Sequence, residues 1–206
     1  LNEFWTPVLL TVVIITLFIG NVTALMQTSY KRMLAYSSIS HAGYMLFAIL
    51  SIGPNSTSGI LTYSAAYGLA SIISFGALIL VKRQAGSDSF ESFNGLGKRS
   101  PWLAFCITIS MLSLAGIPLT AGFIGKFMMF SNVMNDYHTV LLVLAAINAA
   151  VGVYYYLRVV VHMYFMDSKE EVTVSMPINF QIVFVLSVIL TFVLGVYPDA
   201  LIWLAK

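Results

Sequence analysis

Lys126 stands in the run Leu112-Ser-Leu-Ala-Gly-Ile-Pro-Leu-Thr-Ala-Gly-Phe-Ile-Gly-Lys126-Phe-Met-Met-Phe130, with no other charged residue between Pro101 and Asn135. A lone amine in an apolar segment of bilayer length is costly unless it is paired, hydrated or snorkels outward, so it marks a functional site by default. Its chemistry would be proton exchange: desolvation and a neighbouring acid act oppositely on a lysine, so a changing environment makes it bind and release a proton. The Gly116-Ile-Pro118 break precedes it. Pro118 removes a backbone donor and kinks a helix, and at membrane depth such a break is tolerated only against protein or a wet cavity. Transporters combine these two devices.

A second group able to move protons is Ser37, His41 and Tyr44, spaced i, i+4, i+7 on one helix face, with Ser40 beside them. An imidazole titrating near physiological pH suits proton transfer, but the same stripe also serves as interhelical hydrogen-bond glue. Both readings stand at this level. Arg158 and His162, at i, i+4, read either as a proton inlet or as interfacial anchors beside Tyr154-Tyr-Tyr156. His138 reads as a solvated boundary residue. Cys106, the only cysteine, reads as a packing residue and excludes an internal disulfide or a cysteine-based metal cluster.

The elements that position these residues are membrane spans. Apolar residues make up 59% of the 206 positions and charged residues 9%, which excludes a soluble domain, and a net charge of +2 gives no reason to expect nucleic acid. The pattern predicts an all-α polytopic membrane protein with six transmembrane helices near 5–26, 33–52, 58–81, 102–131, 138–165 and 178–203, each near or above the ~20 residues a bilayer requires. In a continuous helix from Pro101, Lys126 would lie about 36 Å along the axis, which favours snorkelling. A break near Pro118 would return it toward mid-membrane. Span three, with Ser64, Gly68, Ser71, Ser74 and Gly76, reads as close helix packing. Span six reads as a lipid- or partner-facing helix.

Lys31, Arg32, Lys82, Arg83, Lys98, Arg99 and Lys169 fall in the loops after spans one, three and five, and the loops after spans two and four carry no Lys or Arg. The positive-inside rule therefore places the odd-span exits in the cytoplasm and both ends of the chain, including Lys206, outside. The chain starts at Leu1 without a basic leader region, which suggests part of a longer protein with upstream helices missing.

The segment Gly20-Asn-Val-Thr-Ala-Leu-Met-Gln-Thr-Ser-Tyr-Lys-Arg-Met-Leu-Ala-Tyr-Ser-Ser-Ile-Ser-His-Ala-Gly-Tyr44 and the Leu112–Lys126 run resemble the antiporter-like subunits of respiratory complex I. The stretch Tyr154-Tyr-Tyr-Leu-Arg-Val-Val-Val-His-Met-Tyr-Phe165 is similar to the subunit N branch of bacterial NADH–quinone oxidoreductases, homologous to mitochondrial subunit 2. The resemblance implies a family of fourteen helices in two inverted five-helix repeats. The six spans here would be the ninth to fourteenth: residues 1–165 as the second repeat, and 166–206 as a cytoplasmic loop and final helix. It implies that Lys126 is the proton-transferring lysine of the broken twelfth helix, and that Lys31 and His41 match polar positions of the tenth. The family's Glu–Lys pair and the central lysines of its first repeat would lie in the absent half. No Asp or Glu occurs within the spans except near their ends, so an ionic partner of Lys126 would have to come from the missing helices or another subunit.

The function so implied is proton translocation by a membrane subunit of NADH–quinone oxidoreductase in the bacterial inner membrane. Lys126, His41 and Lys31 would form the relay, supported by Ser37, Tyr44 and Pro118. NADH, FMN, iron–sulfur clusters and quinone would bind partner subunits, since no Gly-rich phosphate fingerprint or cysteine set occurs here. The expected partners are other complex I membrane subunits, the lipid bilayer and the missing N-terminal helices. The rival readings are a subunit of a multisubunit Na⁺/H⁺ antiporter or related membrane-bound hydrogenase, and a scaffold in which Lys126 merely snorkels.

Overall fold

Long apolar runs cannot leave backbone groups unpaired in lipid, so they close their hydrogen bonds within helices. The computed structural model describes residues 2–50, 56–133, 139–168 and 173–202; His138, Lys169 and Lys206 lie outside them. The chain forms α1 (Asn2–Leu25), α2 (Tyr30–Leu50), α3 (Ser56–Ala85), a 3₁₀ turn (Phe90–Phe93), α4 (Leu96–Arg99), α5 (Pro101–Ala115), α6 (Ala121–Val133), α7 (Thr139–Phe165), α8 (Ile178–Val196) and α9 (Asp199–Ile202). Among the described residues there is no sheet, only an isolated bridge between Ser29 and Ser89.

Five of these helices (α1, α2, α3, α7 and α8) are long and apolar enough to cross a membrane. The span expected at 102–131 is instead two helices, α5 of 15 residues and α6 of 13, about 22 Å and 20 Å long. Neither crosses ~30 Å of hydrocarbon alone. A span count of six therefore depends on taking the broken pair as one crossing.

Glycines let the backbones touch. A Cβ at Gly20 would come within 2.6 Å of the Ser40 nitrogen, so α1 and α2 pack backbone to backbone. At Gly76 it would meet the Phe184 ring at 2.7 Å, which seats α8 against α3. Ala70, Ile73, Ala77, Cys106, Ile107, Tyr156 and Phe184 belong to the main buried core, built from α3, α5, α7 and α8.

Helix α3 runs to Ala85 rather than ending at 81, and the connection to α5 is folded rather than a plain loop. The cause is an apolar anchor: Phe90, Phe93 and Leu96 are buried, and Phe93 lies 4.4 Å from the Tyr30 ring, centroid to centroid. Tyr30 N donates to Asp88 O at 2.8 Å and Phe90 N to Thr28 O at 3.2 Å, tying this connection to the α1–α2 link. The connection closes the end of the bundle that carries Lys31, Arg32, Lys82, Arg83, Lys98 and Arg99. Helix α8 exposes Ile182, Leu186, Ile189 and Val193 along one side, as a lipid- or partner-facing helix does.

Candidate proton-transfer site

The site is organised by the end of α5. Gly116 has φ +82°, the left-handed conformation that Gly adopts without a Cβ penalty. Ile117 N donates to Leu112 O at 3.0 Å and Gly116 N to Ser113 O at 3.1 Å, the Schellman pattern. Those bonds satisfy the carbonyls of Leu112 and Ser113 and leave those of Leu114 and Ala115 without backbone donors. Pro118 then prevents the helix from resuming, Leu119 takes φ +73° and lies exposed, and α6 starts at Ala121. Gly122 packs directly on Ser113, its N–H donating to Ser113 Oγ at 3.3 Å. Behind the break, a side chain at Gly195 of α8 would collide with the Leu119 carbonyl.

Lys126 reaches back from α6 to fill the gap. Its Nζ donates to Leu114 O at 3.0 Å and Ala115 O at 3.1 Å, and the residue is 7% exposed. The amine sits at the negative end of the α5 dipole and 5.2 Å from the centroid of the Tyr44 ring. Gly116 makes room for it, since a Cβ there would lie 3.0 Å from Lys126 Cδ. Among the described residues no carboxylate forms an ion pair with Lys126.

His41 lies at the centre of a second group. Its Nδ1 bonds Tyr63 Oη at 2.5 Å and its Nε2 bonds Tyr156 Oη at 2.8 Å, with the Tyr67 ring 4.7 Å away. A neutral imidazole donates from one nitrogen and accepts at the other, so one phenol donates to the ring and the other receives from it. Exchanging the tautomer reverses both bonds and moves a proton from one side of the ring to the other. The group is buried: His41 is 3% exposed, Tyr63 2% and Tyr156 1%. Close contact of Gly125 with Tyr63 Cα brings α3 against α6, and Tyr44 lies between the two groups, 6.4 Å from both the His41 and the Tyr63 ring centroids. Tyr155 Oη donates to Asn21 Oδ1 at 2.7 Å, and Asn21 Nδ2 donates to Asn148 Oδ1 at 3.1 Å, a further buried polar chain between α1 and α7. Thr62 Oγ1, next to Tyr63 in sequence, is buried with no hydrogen-bond partner among the described residues.

Ser37, Ser40, His41 and Tyr44 do share a buried face of α2, but their side chains are not bonded to one another. Ser37 Oγ donates to Leu34 O at 2.9 Å and Ser40 Oγ to Ser37 O at 2.7 Å, both within α2. Tyr44 Oη reaches Ala145 O at 3.4 Å. Hydrogen bonding from His41 runs across helices instead, to Tyr63 of α3 and Tyr156 of α7. Lys31 is exposed in the first turn of α2 and is not brought to His41 or Lys126. Arg158 and His162 also lie apart: Arg158 stacks over Phe90, and His162 Nδ1 bonds Asn94 Oδ1 at 2.7 Å. No three His, Cys, Asp or Glu side chains converge among the described residues.

The family described as "NADH:quinone oxidoreductase/Mrp antiporter, TM" matches residues 1–152. NADH-quinone oxidoreductase subunit N of Methylovorus glucosotrophus is 38% identical over 198 residues, covering 96% of this chain and 41% of that protein. The same subunit of Trichlorobacter lovleyi is 45% identical over 168 residues, covering 81% and 34%. The chain thus spans about two fifths of the length of such curated relatives. A chain of Thermus thermophilus respiratory complex I with bound aureothin superposes with a TM-score of 0.83 at 33% identity, covering 94% of this chain and 44% of that one. A chain of the archaeal membrane-bound sulfane sulfur reductase gives 0.87 at 28%, covering 96% and 40%. A chain of the Mrp complex of Dietzia gives 0.80 at 17%, covering 96% and 45%, a likeness of fold alone. With the broken helix, the buried lysine and a family match over most of its length, the chain belongs to the NADH:quinone oxidoreductase/Mrp antiporter transmembrane family, and these curated relatives are N subunits of NADH-quinone oxidoreductases.

Proposed function

We propose that the protein is a proton-translocating membrane subunit of an NADH–quinone oxidoreductase, with Lys126 as the group that binds and releases the proton. The observation that carries this reading is a buried amine at a helix break, held by two orphan carbonyls and paired with no carboxylate among the described residues. Carbonyls hold either protonation state, whereas a fixed ion pair would favour one. An acid approaching from another part of the assembly, or water reaching the break, would then change how firmly Lys126 keeps its proton. His41, with Tyr63 and Tyr156, passes protons by tautomer exchange. Tyr44 and the ring-to-ring spacing separate His41 from Lys126, so transfer between them requires water or side-chain movement.

Residues 1–165 act as one five-helix repeat and 166–206 as a loop and final helix, in a bacterial inner membrane with the basic end of the bundle in the cytoplasm. The redox groups and NADH belong to partner subunits. Cys106 is the chain's single cysteine and is buried, so these residues offer no set of cluster ligands. A tag on the complete protein should copurify NADH:quinone activity, and NADH should drive proton uptake into vesicles carrying the complex. Proton exchange that requires Na⁺ and proceeds without NADH would instead establish the antiporter reading.

A further inference from the structure

We infer that the basic end of the bundle carries a binding site for a phospholipid whose headgroup bears a primary amine, centred on Arg158. Three hollows meet at this residue. A polar cleft of about 280 Å³ is lined by Arg32, Asp88, Phe90, Glu91, Arg158 and His162 among others. An apolar furrow of about 420 Å³ runs along Leu25, Val151 and Tyr154 to Arg158. A second, of about 390 Å³, leaves Arg158 along Leu157, Val161 and Met166. The first furrow runs from Arg158 toward mid-membrane, as an acyl chain does, and the polar cleft lies at its mouth, where a headgroup sits; the second runs from Arg158 toward the end of α7, at headgroup level.

The charges within the cleft match that outline. Arg158 lies over the Phe90 ring at 4.2 Å, and its one recorded hydrogen bond is to Leu25 O at 3.5 Å. Among the described residues it makes no ion pair, so most of its five donors remain for a ligand. A guanidinium fork suits a phosphodiester, with Arg32 in the same cleft. Asp88 and Glu91 in that cleft suit the three N–H donors of a primary ammonium. A purely anionic headgroup would face those carboxylates unfavourably, and a quaternary ammonium has no N–H to offer them. Depth agrees as well: α7 ends at Phe165, so Arg158 lies ~10 Å short of its end, where headgroup meets acyl chain. Tyr154, 63% exposed at the junction of the furrows, is the residue type favoured at that level.

The test uses the intact complex containing the complete protein, reconstituted with phosphatidylethanolamine bearing a photoreactive acyl chain. Labelling should map to the Val151–Met166 stretch of α7. Unlabelled phosphatidylethanolamine should compete about tenfold better than phosphatidylglycerol or phosphatidylcholine, the ratio expected for one charge-assisted contact. Inorganic phosphate should not compete. Arg158→Gln should lower labelling about tenfold, and Glu91→Gln should bring phosphatidylethanolamine and phosphatidylglycerol to near equality. If Arg158→Gln does not assemble, the Glu91→Gln comparison decides. Labelling indifferent to these substitutions, competed equally by all three lipids, or displaced by inorganic phosphate would overturn the proposal.

Discussion

Lys126→Ala in the complete protein is expected to cut proton pumping by about 10²-fold or more, the usual loss when a positioned acid–base group is removed, while the complex still assembles. Assembly should persist because the substitution removes a buried charge along with its bonds. Two carbonyls, Leu114 and Ala115, lose their donor, and water entering the vacated space can satisfy them. The change therefore separates proton transfer from structure. A scaffold in which the amine snorkels would pump unchanged with alanine at 126.

The second large effect is structural and acts on the same break. A Cβ at Gly122 would overlap the Ser113 carbonyl, and its nearest neighbours are all atoms of Ser113, two of them backbone. Backbone cannot step aside as a flexible side chain can. Gly122→Val is expected to destabilise the protein by at least the ~1–3 kcal/mol usual for overpacking, and to push α6 from α5 so that Lys126 loses its carbonyls. The measurement is the yield and Tm of the complex, with Gly68→Ala as control. Gly68 has open space around the position of a Cβ, and alanine favours a helix over glycine by ~0.5–1 kcal/mol, so the control should be neutral or slightly stabilising. Equal behaviour of the two variants would contradict the close packing at the break.

The sequence exposes Lys126, the break and the span pattern directly, because a lone charge and a Gly-Ile-Pro step stand out in apolar helix. It leaves the depth of Lys126 open, since counting along a continuous helix ignores the five residues from Gly116 to Thr120 that interrupt it. It also misses what holds the amine. An ammonium invites a search for an acid, whereas the partners here are backbone carbonyls, and only the hydrogen-bond pattern of the α5 terminus reveals which are left over. The phenols of the His41 group were illegible for another reason. Tyr154, Tyr155 and Tyr156 are adjacent, and tertiary packing alone buries the last two while leaving Tyr154 exposed. Tyr63 sits among the small residues of α3, which read as packing. The face shared by Ser37, His41 and Tyr44 was readable from spacing, but its bonding was not: serine hydroxyls find their own helix carbonyls, and the imidazole bonds across the bundle.

The most direct measurement is the proton-to-electron ratio of the reconstituted complex carrying Lys126→Arg. Arginine keeps the positive charge and reaches the same carbonyls, but its guanidinium stays protonated at every physiological pH. The expected result is quinone reduction without the protons that depend on this position, as with alanine. Pumping at the wild-type ratio with arginine at 126 would contradict proton release from this residue.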